Sequence, residues 1–359
     1  MPAIQKNHTV MYLDRNENQF GPTPECYSIL RNATINELSN YSRDFMRGVK
    51  SILSETLARE YDLTEPSVLL SYGSEDMLKH IVHCYLADGE TMMVPKYSWW
   101  YYKSVASEVG GNVAEYPIHA DESAFYYDID EIISLVQSIK PRIMLLASPN
   151  NPTGNSLPAN DVKLLLQKCP DTIIVVDEAY FGFTDSADDG MPRCTLQHPN
   201  LAVLRTFSKM YALAGVRIGH AFVGKNFQKL ITYSARYLGY NIVSEQLALA
   251  ALRDKTYYRS LASTTAEERE RYYEFFHPID GCRAFRSDAN FVLVKIPNKD
   301  SELLKKHLDK AGILIKFFSG KEFPDFIRIT VGTPDQNSRL IHEMDKYFSH
   351  KNALISEQH

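Results

Sequence analysis

The chain has 359 residues, 44% hydrophobic and 23% charged, with a formal net charge of −5. That length predicts two or three domains with enough apolar mass for a large core. The acidic balance argues against nucleic acid as a partner, and no apolar run is long enough to span a membrane. The stretch Met1 to Val10 is polar and lacks a signal-peptide hydrophobic region. Cys26, Cys84, Cys169, Cys194 and Cys282 are scattered, with no Cys-x-x-Cys pair. They read as reduced thiols of a cytoplasmic protein and argue against a structural metal site.

In chain order, about residues 1–30 read as an extended arm with turn formers in Gly21-Pro22-Thr23-Pro24. Apolar Met46, Val49, Leu53 and Leu57 predict a helix over 46–61. Strands then alternate with helices. Strands are expected at 68–70, 91–94, 112–118, 142–147, 172–176, 202–205 and 217–223, and helices at 73–86, 128–139 and 157–168. Apolar strands between amphipathic helices predict an α/β fold with a mostly parallel sheet, buried on both faces. After about residue 245 the texture changes. Helices are expected at 260–276, 301–311 and 335–348, and strands at 289–296, 313–318 and 327–331. The division that follows is an N-terminal arm (1–35), a large domain (36–245) and a smaller α+β domain (246–359), which the arm helps to complete.

Ligands of such sheets bind at the carboxyl ends of the strands, and four candidate segments fall there. Gly73-Ser74-Glu75 turns into a helix whose first N–H groups favour phosphate, or is an ordinary helix cap. Ser148-Pro149-Asn150-Asn151-Pro152-Thr153-Gly154 is a rigid turn that presents the Asn151 amide to a phenolate oxygen. Asp177 ends an apolar run, as a helix cap or as the partner of a pyridinium nitrogen, with Tyr180 aimed at the ring phenolate. Thr206, Ser208 and Arg217 combine hydroxyls with a bidentate cation, as phosphate recognition requires. Lys209 among them is expected to be a buried amine, nucleophilic towards an aldehyde. This set points to pyridoxal phosphate. Arg328 interrupts an apolar strand, so it needs either an internal glutamate or a substrate carboxylate. The aromatic run Tyr97–Tyr102 reads as packing, Asp185–Gly190 as a solvated loop, and His220 as a satisfied interior histidine.

These strings in this order resemble the fold-type-I pyridoxal-phosphate aminotransferases, and within them the histidinol-phosphate aminotransferase family. The likeness runs from Leu13-Asp14-Arg15-Asn16-Glu17-Asn18, through Ser148–Gly154 and Thr206–Gly219, to Arg328–Pro334. It implies a fold-type-I PLP-transferase that works on pyridoxal 5'-phosphate. Lys209 would form the imine, Asp177 face the pyridinium, and Tyr180 and Asn151 contact the phenolate. Tyr97 would stack on the ring. Ser74, Glu75, Thr206, Ser208 and Arg217 would hold the phosphate. Arg328, Lys316, Phe20 and Asn151 would line the substrate. Tyr41 would reach the neighbouring subunit's cofactor phosphate, which implies a homodimer. The implied reaction is ping-pong transamination by Schiff-base chemistry, from histidinol phosphate or a related amino acid to 2-oxoglutarate. The same scaffold also serves lyases, cyclases and decarboxylases of functionalised amino acids. Lys316 departs from the family, which places a second arginine in this region, and a lysine lacks the planar fork.

Overall fold

The computed structural model describes residues 10–184, 190–297, 300–318 and 323–356. Most of the acidic run, Asp185–Asp189, lies outside them.

A seven-stranded sheet forms the centre. Its order is Val68–Ser71, Gly219–Val223, Leu201–Thr206, Ile173–Asp177, Ile143–Ala147, Thr91–Pro95, Asn112–Tyr116. Gly219–Val223 runs antiparallel to both neighbours, and the remaining pairings are parallel. Successive side chains point to opposite faces, and both faces are apolar. Met144 and Leu146 enter one buried cluster, while Ile143, Leu145 and Ala147 enter the other. Leu53, Leu57, Ile132, Leu165 and Leu247 bring helices Ile52–Glu60, Ile129–Ile139, Ala159–Lys168 and Ile242–Arg253 onto the first face. Met77, Ile81, Val105 and Leu230 bring Ser74–Tyr85, Tyr101–Glu108 and Gln228–Ser234 onto the second. Each fully buried aliphatic contributes roughly 2 kcal/mol by transfer, so this double cover fixes where the strand ends lie.

A five-stranded sheet has the order Met11–Leu13, Ile313–Phe317, Phe326–Thr330, Phe291–Lys295, Arg283–Phe285. Ile313, Ile315, Ile327, Ile329, Val292 and Val294 face a third apolar cluster with Tyr272, Leu304 and Leu340, from helices Lys255–Phe276, Asp300–Lys310 and Pro334–Ser356. Lys316, Arg328 and Thr330 alternate with those residues and therefore face the other way. No helix among the described residues is long and apolar enough to cross a membrane.

Two expectations need correction. The arm is not merely extended: Met11–Leu13 pairs in parallel with Ile313–Ile315, and Pro24–Asn32 is a helix. Pro24 sits in the first helical turn, where a missing N–H is no loss. The helix expected over 46–61 begins at Ile52. Gly48, left-handed at φ 78°, ends a 3-10 turn at Asp44–Arg47, and the Ser51 side chain caps the helix by accepting the Leu53 N–H at 2.9 Å. Leu53 and Leu57 keep their core face, but Met46 projects outward.

Candidate active site

Three groups of side chains meet at the carboxyl ends of the parallel strands. The first is a cradle of donors. Gly73, at φ +100°, turns the chain from strand Val68–Ser71 into helix Ser74–Tyr85 and gives the helix no side-chain cap, so its leading N–H groups stay available. Ser74 is half-buried there. The Glu75 carboxylate is exposed and lies 3.9 Å from Arg217 Nη2, so towards an anion its backbone N–H is the group it can offer. The Arg217 guanidinium lies over this turn. It donates to the Tyr72 carbonyl at 3.1 Å and to Ser208 Oγ at 3.3 Å. Ser208 N–H donates to Thr206 Oγ1 at 3.1 Å. A Cβ at position 73 would stand 2.6 Å from Arg217 Nη2, so any other residue, already strained at this φ, would also make the guanidinium shift. Helix N–H groups, two hydroxyls and a guanidinium could hold a phosphate.

The second group surrounds Asp177 and Lys209. Asp177 ends its strand and is buried. It caps no helix: Oδ2 accepts from the Tyr102 hydroxyl at 2.9 Å and Oδ1 from the Ala179 N–H at 3.0 Å. Burial pushes this carboxyl up, against both hydrogen bonds, and it has no cationic partner among the described residues. A pyridinium N–H would supply that partner. Lys209 is half-buried rather than buried. Its amine donates to the carbonyls of Arg15 at 3.1 Å and Asn16 at 3.2 Å, and stands 5.5 Å from the centre of the Tyr180 ring. The arm reaches over the amine here and satisfies two of its donors. Asn18 Nδ2 fastens the same arm to the Lys209 and Met210 carbonyls at 3.2 and 2.9 Å. The chemistry of this set fits pyridoxal phosphate.

The third group faces the smaller sheet. Arg328 is buried, and the internal glutamate offered above is absent: it makes no ion pair among the described residues. It donates to Asn151 Oδ1 and, at 2.8 Å, to the Asp14 carbonyl, while Nε has no partner. Burial pushes its guanidinium down from the usual arginine value. Lys316 pairs directly with Arg328 across the antiparallel ladder and is exposed. Tyr97 is half-buried. Asn150 Nδ2 donates to its carbonyl at 2.6 Å, and its ring meets Phe323 at 4.7 Å. Phe20 is partly buried against the main core. Tyr41 joins none of these groups and is 69% exposed.

Sequence reasoning missed Tyr102, placed only in an aromatic packing run, and missed Asn16, Thr330 and Phe323. Tyr102 and Phe323 have no local signature, and Asn16 and Thr330 stood only within strings that carried the family likeness, without a role, because each acts through a partner distant in the chain. His220 is buried, as expected, but its Nδ1 lacks a partner. Burial and then Arg205 push it down to about 3.

A family model described as aminotransferase class I and II matches residues 9–344. The chain is 32% identical over 338 residues to histidinol-phosphate aminotransferase 2 of Carboxydothermus hydrogenoformans, covering 92% of this chain and 89% of that one. It is 31% identical to histidinol-phosphate aminotransferase of Thermoanaerobacter pseudethanolicus, covering 93% of each. Its fold is similar to that of histidinol-phosphate aminotransferase from Sinorhizobium meliloti in complex with pyridoxal-5'-phosphate, with a TM-score of 0.83, 24% identity and coverage of 95% and 91%. The chain belongs to the aminotransferase class I and II family, and is a pyridoxal-phosphate-dependent aminotransferase of fold type I.

Proposed function

We propose that this enzyme takes its amino group from histidinol phosphate, or from an amino acid of similar shape with a distal anion, and passes it to 2-oxoglutarate. The observation that carries this is the cation pair Arg328 and Lys316. Like charges directly opposed on a sheet repel, and a buried guanidinium without a carboxylate is costly. An anionic substrate group between them relieves both.

Pyridoxal phosphate, when bound, supplies an electron sink for the carbanion of the donor. The chain's residues then divide the work. Ser74, Glu75, Thr206, Ser208 and Arg217 hold the phosphate. Asp177 faces the ring nitrogen and keeps it protonated, and Tyr102 holds that carboxylate in place. Tyr97 stacks on the ring. Tyr180 donates to the ring oxygen, and so does Asn151. Arg328 can only donate, so it takes the Asn151 oxygen and leaves the NH2 end for the ring. Lys209 anchors the ring. Its amine, once free, would take up and give back the proton at the donor α-carbon as general base and acid. Phe20 lines the substrate side.

The active form is a homodimer in the cytoplasm. Leu38, Tyr41, Phe45, Met46, Tyr237 and Leu238 are exposed, and Phe45 and Tyr237 touch at 5.1 Å, so these segments form one apolar face. A second copy covers it and brings Tyr41 to the partner's phosphate cradle.

The test is the visible spectrum of the holoenzyme mixed with histidinol phosphate and no keto acid, with single amino acids in parallel. Bleaching of the cofactor band by histidinol phosphate, reversed by 2-oxoglutarate, is expected. Bleaching only by amino acids that lack a distal anion would refute the donor. Product formed while the band persists would replace transamination with elimination, cyclisation or decarboxylation.

A further inference from the structure

The geometry points to Asn16 as a positioning residue that decides which way the Tyr180 hydroxyl hydrogen points. This rests on Tyr180 being a contact of the cofactor ring oxygen.

Asn16 follows the strand Met11–Leu13. It is 1% exposed and left-handed at φ 55°, a conformation asparagine tolerates better than most residues. Its backbone N–H donates to Thr330 Oγ1 at 2.9 Å. An N–H can only donate, so the Thr330 oxygen accepts there and its own hydrogen must go elsewhere. Asn16 Oδ1 lies 3.3 Å away and receives it. The oxygen end of the amide therefore faces Thr330, and the NH2 end faces Tyr180, donating to its hydroxyl oxygen at 2.8 Å. Tyr180 accepts from Asn16, and its hydrogen is left to point outward. A reversed amide would aim two donors at Thr330 Oγ1, strand the threonine hydrogen, and turn Tyr180 into a donor towards Asn16.

Thr330 is fully buried on the strand that carries Arg328, on the same face. The backbone carbonyl of Asn16 accepts from Lys209 Nζ at 3.2 Å and from Asn290 Nδ2 at 3.1 Å. One residue of the arm thus holds both the anchoring amine and the polarity of the neighbouring hydroxyl.

The consequence is electronic. A hydrogen bond donated by Tyr180 draws negative charge from the ring oxygen. The proton held between that oxygen and the lysine nitrogen then leaves at lower pH. Without Asn16 the tyrosine hydrogen is free to turn away, and the proton is held to higher pH.

The experiment is a pH titration of the visible absorbance of resting holoenzyme, with no substrate. Asn16→Gly suits the left-handed backbone and removes only the side chain. Thr330→Val keeps the side chain's size and removes the group that orients the amide. Tyr180→Phe and the double variant Asn16→Gly/Tyr180→Phe complete the set. Both Asn16→Gly and Thr330→Val are expected to raise the midpoint, Asn16→Gly by about one pH unit, the worth of one charge-assisted hydrogen bond. Asn16→Gly is expected to add nothing once Tyr180 is phenylalanine. A midpoint that stays or falls in Asn16→Gly while Tyr180→Phe raises it overturns the inference, as do additive shifts. If Asn16→Gly does not fold, Thr330→Val decides by the same signs. If Tyr180→Phe leaves the midpoint unmoved, the assignment of Tyr180 to the ring oxygen fails and the inference falls with it.

Discussion

Glu245 lies in the first turn of helix Ile242–Arg253 and is 6% exposed. It accepts one hydrogen bond, from Ser51 Oγ at 2.7 Å, and its other oxygen has no partner. Burial, then the charge of Asp44, push the carboxyl up to about 7, while Ser51 pulls it down. The folded state therefore keeps a proton that the unfolded chain gives up near 4.5. Stability is full below that pH, falls as pH rises through about 7, and is then constant. Glu245→Gln is expected to be more stable than the parent at pH 8 by about 2–3 kcal/mol, and equal to it at pH 4, in urea unfolding. A less stable variant at pH 8 would mean the carboxylate is well paired. Legibility at this scale depends on cost. Arg328 within an apolar strand and Asp177 at the end of one stand out because a buried charge demands a partner. Glu245 does not, because a glutamate in the first turn of a helix is ordinary. The roles of Tyr102 and Asn16 were invisible too, since their partners lie 75 and 164 residues away.

Apolar strands of four to six residues between Gly- and Pro-containing breaks were readable from sequence, because burial on both faces leaves no other pattern. The helix expected over 46–61 shows where periodicity misleads. Met46 and Val49 continue the spacing of Leu53 and Leu57, but Gly48 and Ser51 punctuate the chain between them, and capping overrides period. The turn at Gly73 matters most for the site. Its φ of +100° already excludes most side chains, and the space for a Cβ is taken by Arg217. Gly73→Ala is expected to cost about 1–3 kcal/mol of stability and to push Arg217 off Ser208. Thermal unfolding and the cofactor dissociation constant check this. Full retention of cofactor would show that Arg217 does not depend on that seat.

At the scale of the molecule, the exposed apolar face around Phe45 and Tyr237 could not be read from sequence, since the spacing there assigned Met46 to a core. Only the family resemblance singled out Tyr41. Tyr237→Glu introduces a charge on that face, beside Phe45. Sedimentation velocity is expected to show dissociation to monomers, with weaker cofactor retention as the partner's phosphate contact is lost. An unchanged dimer would move the interface elsewhere. The edge strand Met11–Leu13 also sets an order of assembly. It can pair only after Ile313–Ile315 has left the ribosome, because that is the strand it runs beside. Asn16 and Asn18, which seat the arm on Lys209, follow it into place. An emerging chain can therefore complete the large sheet while the Lys209 amine is still uncovered. The cover over Lys209 is therefore completed only after strand Ile313–Phe317 has been made, by a segment synthesised long before it.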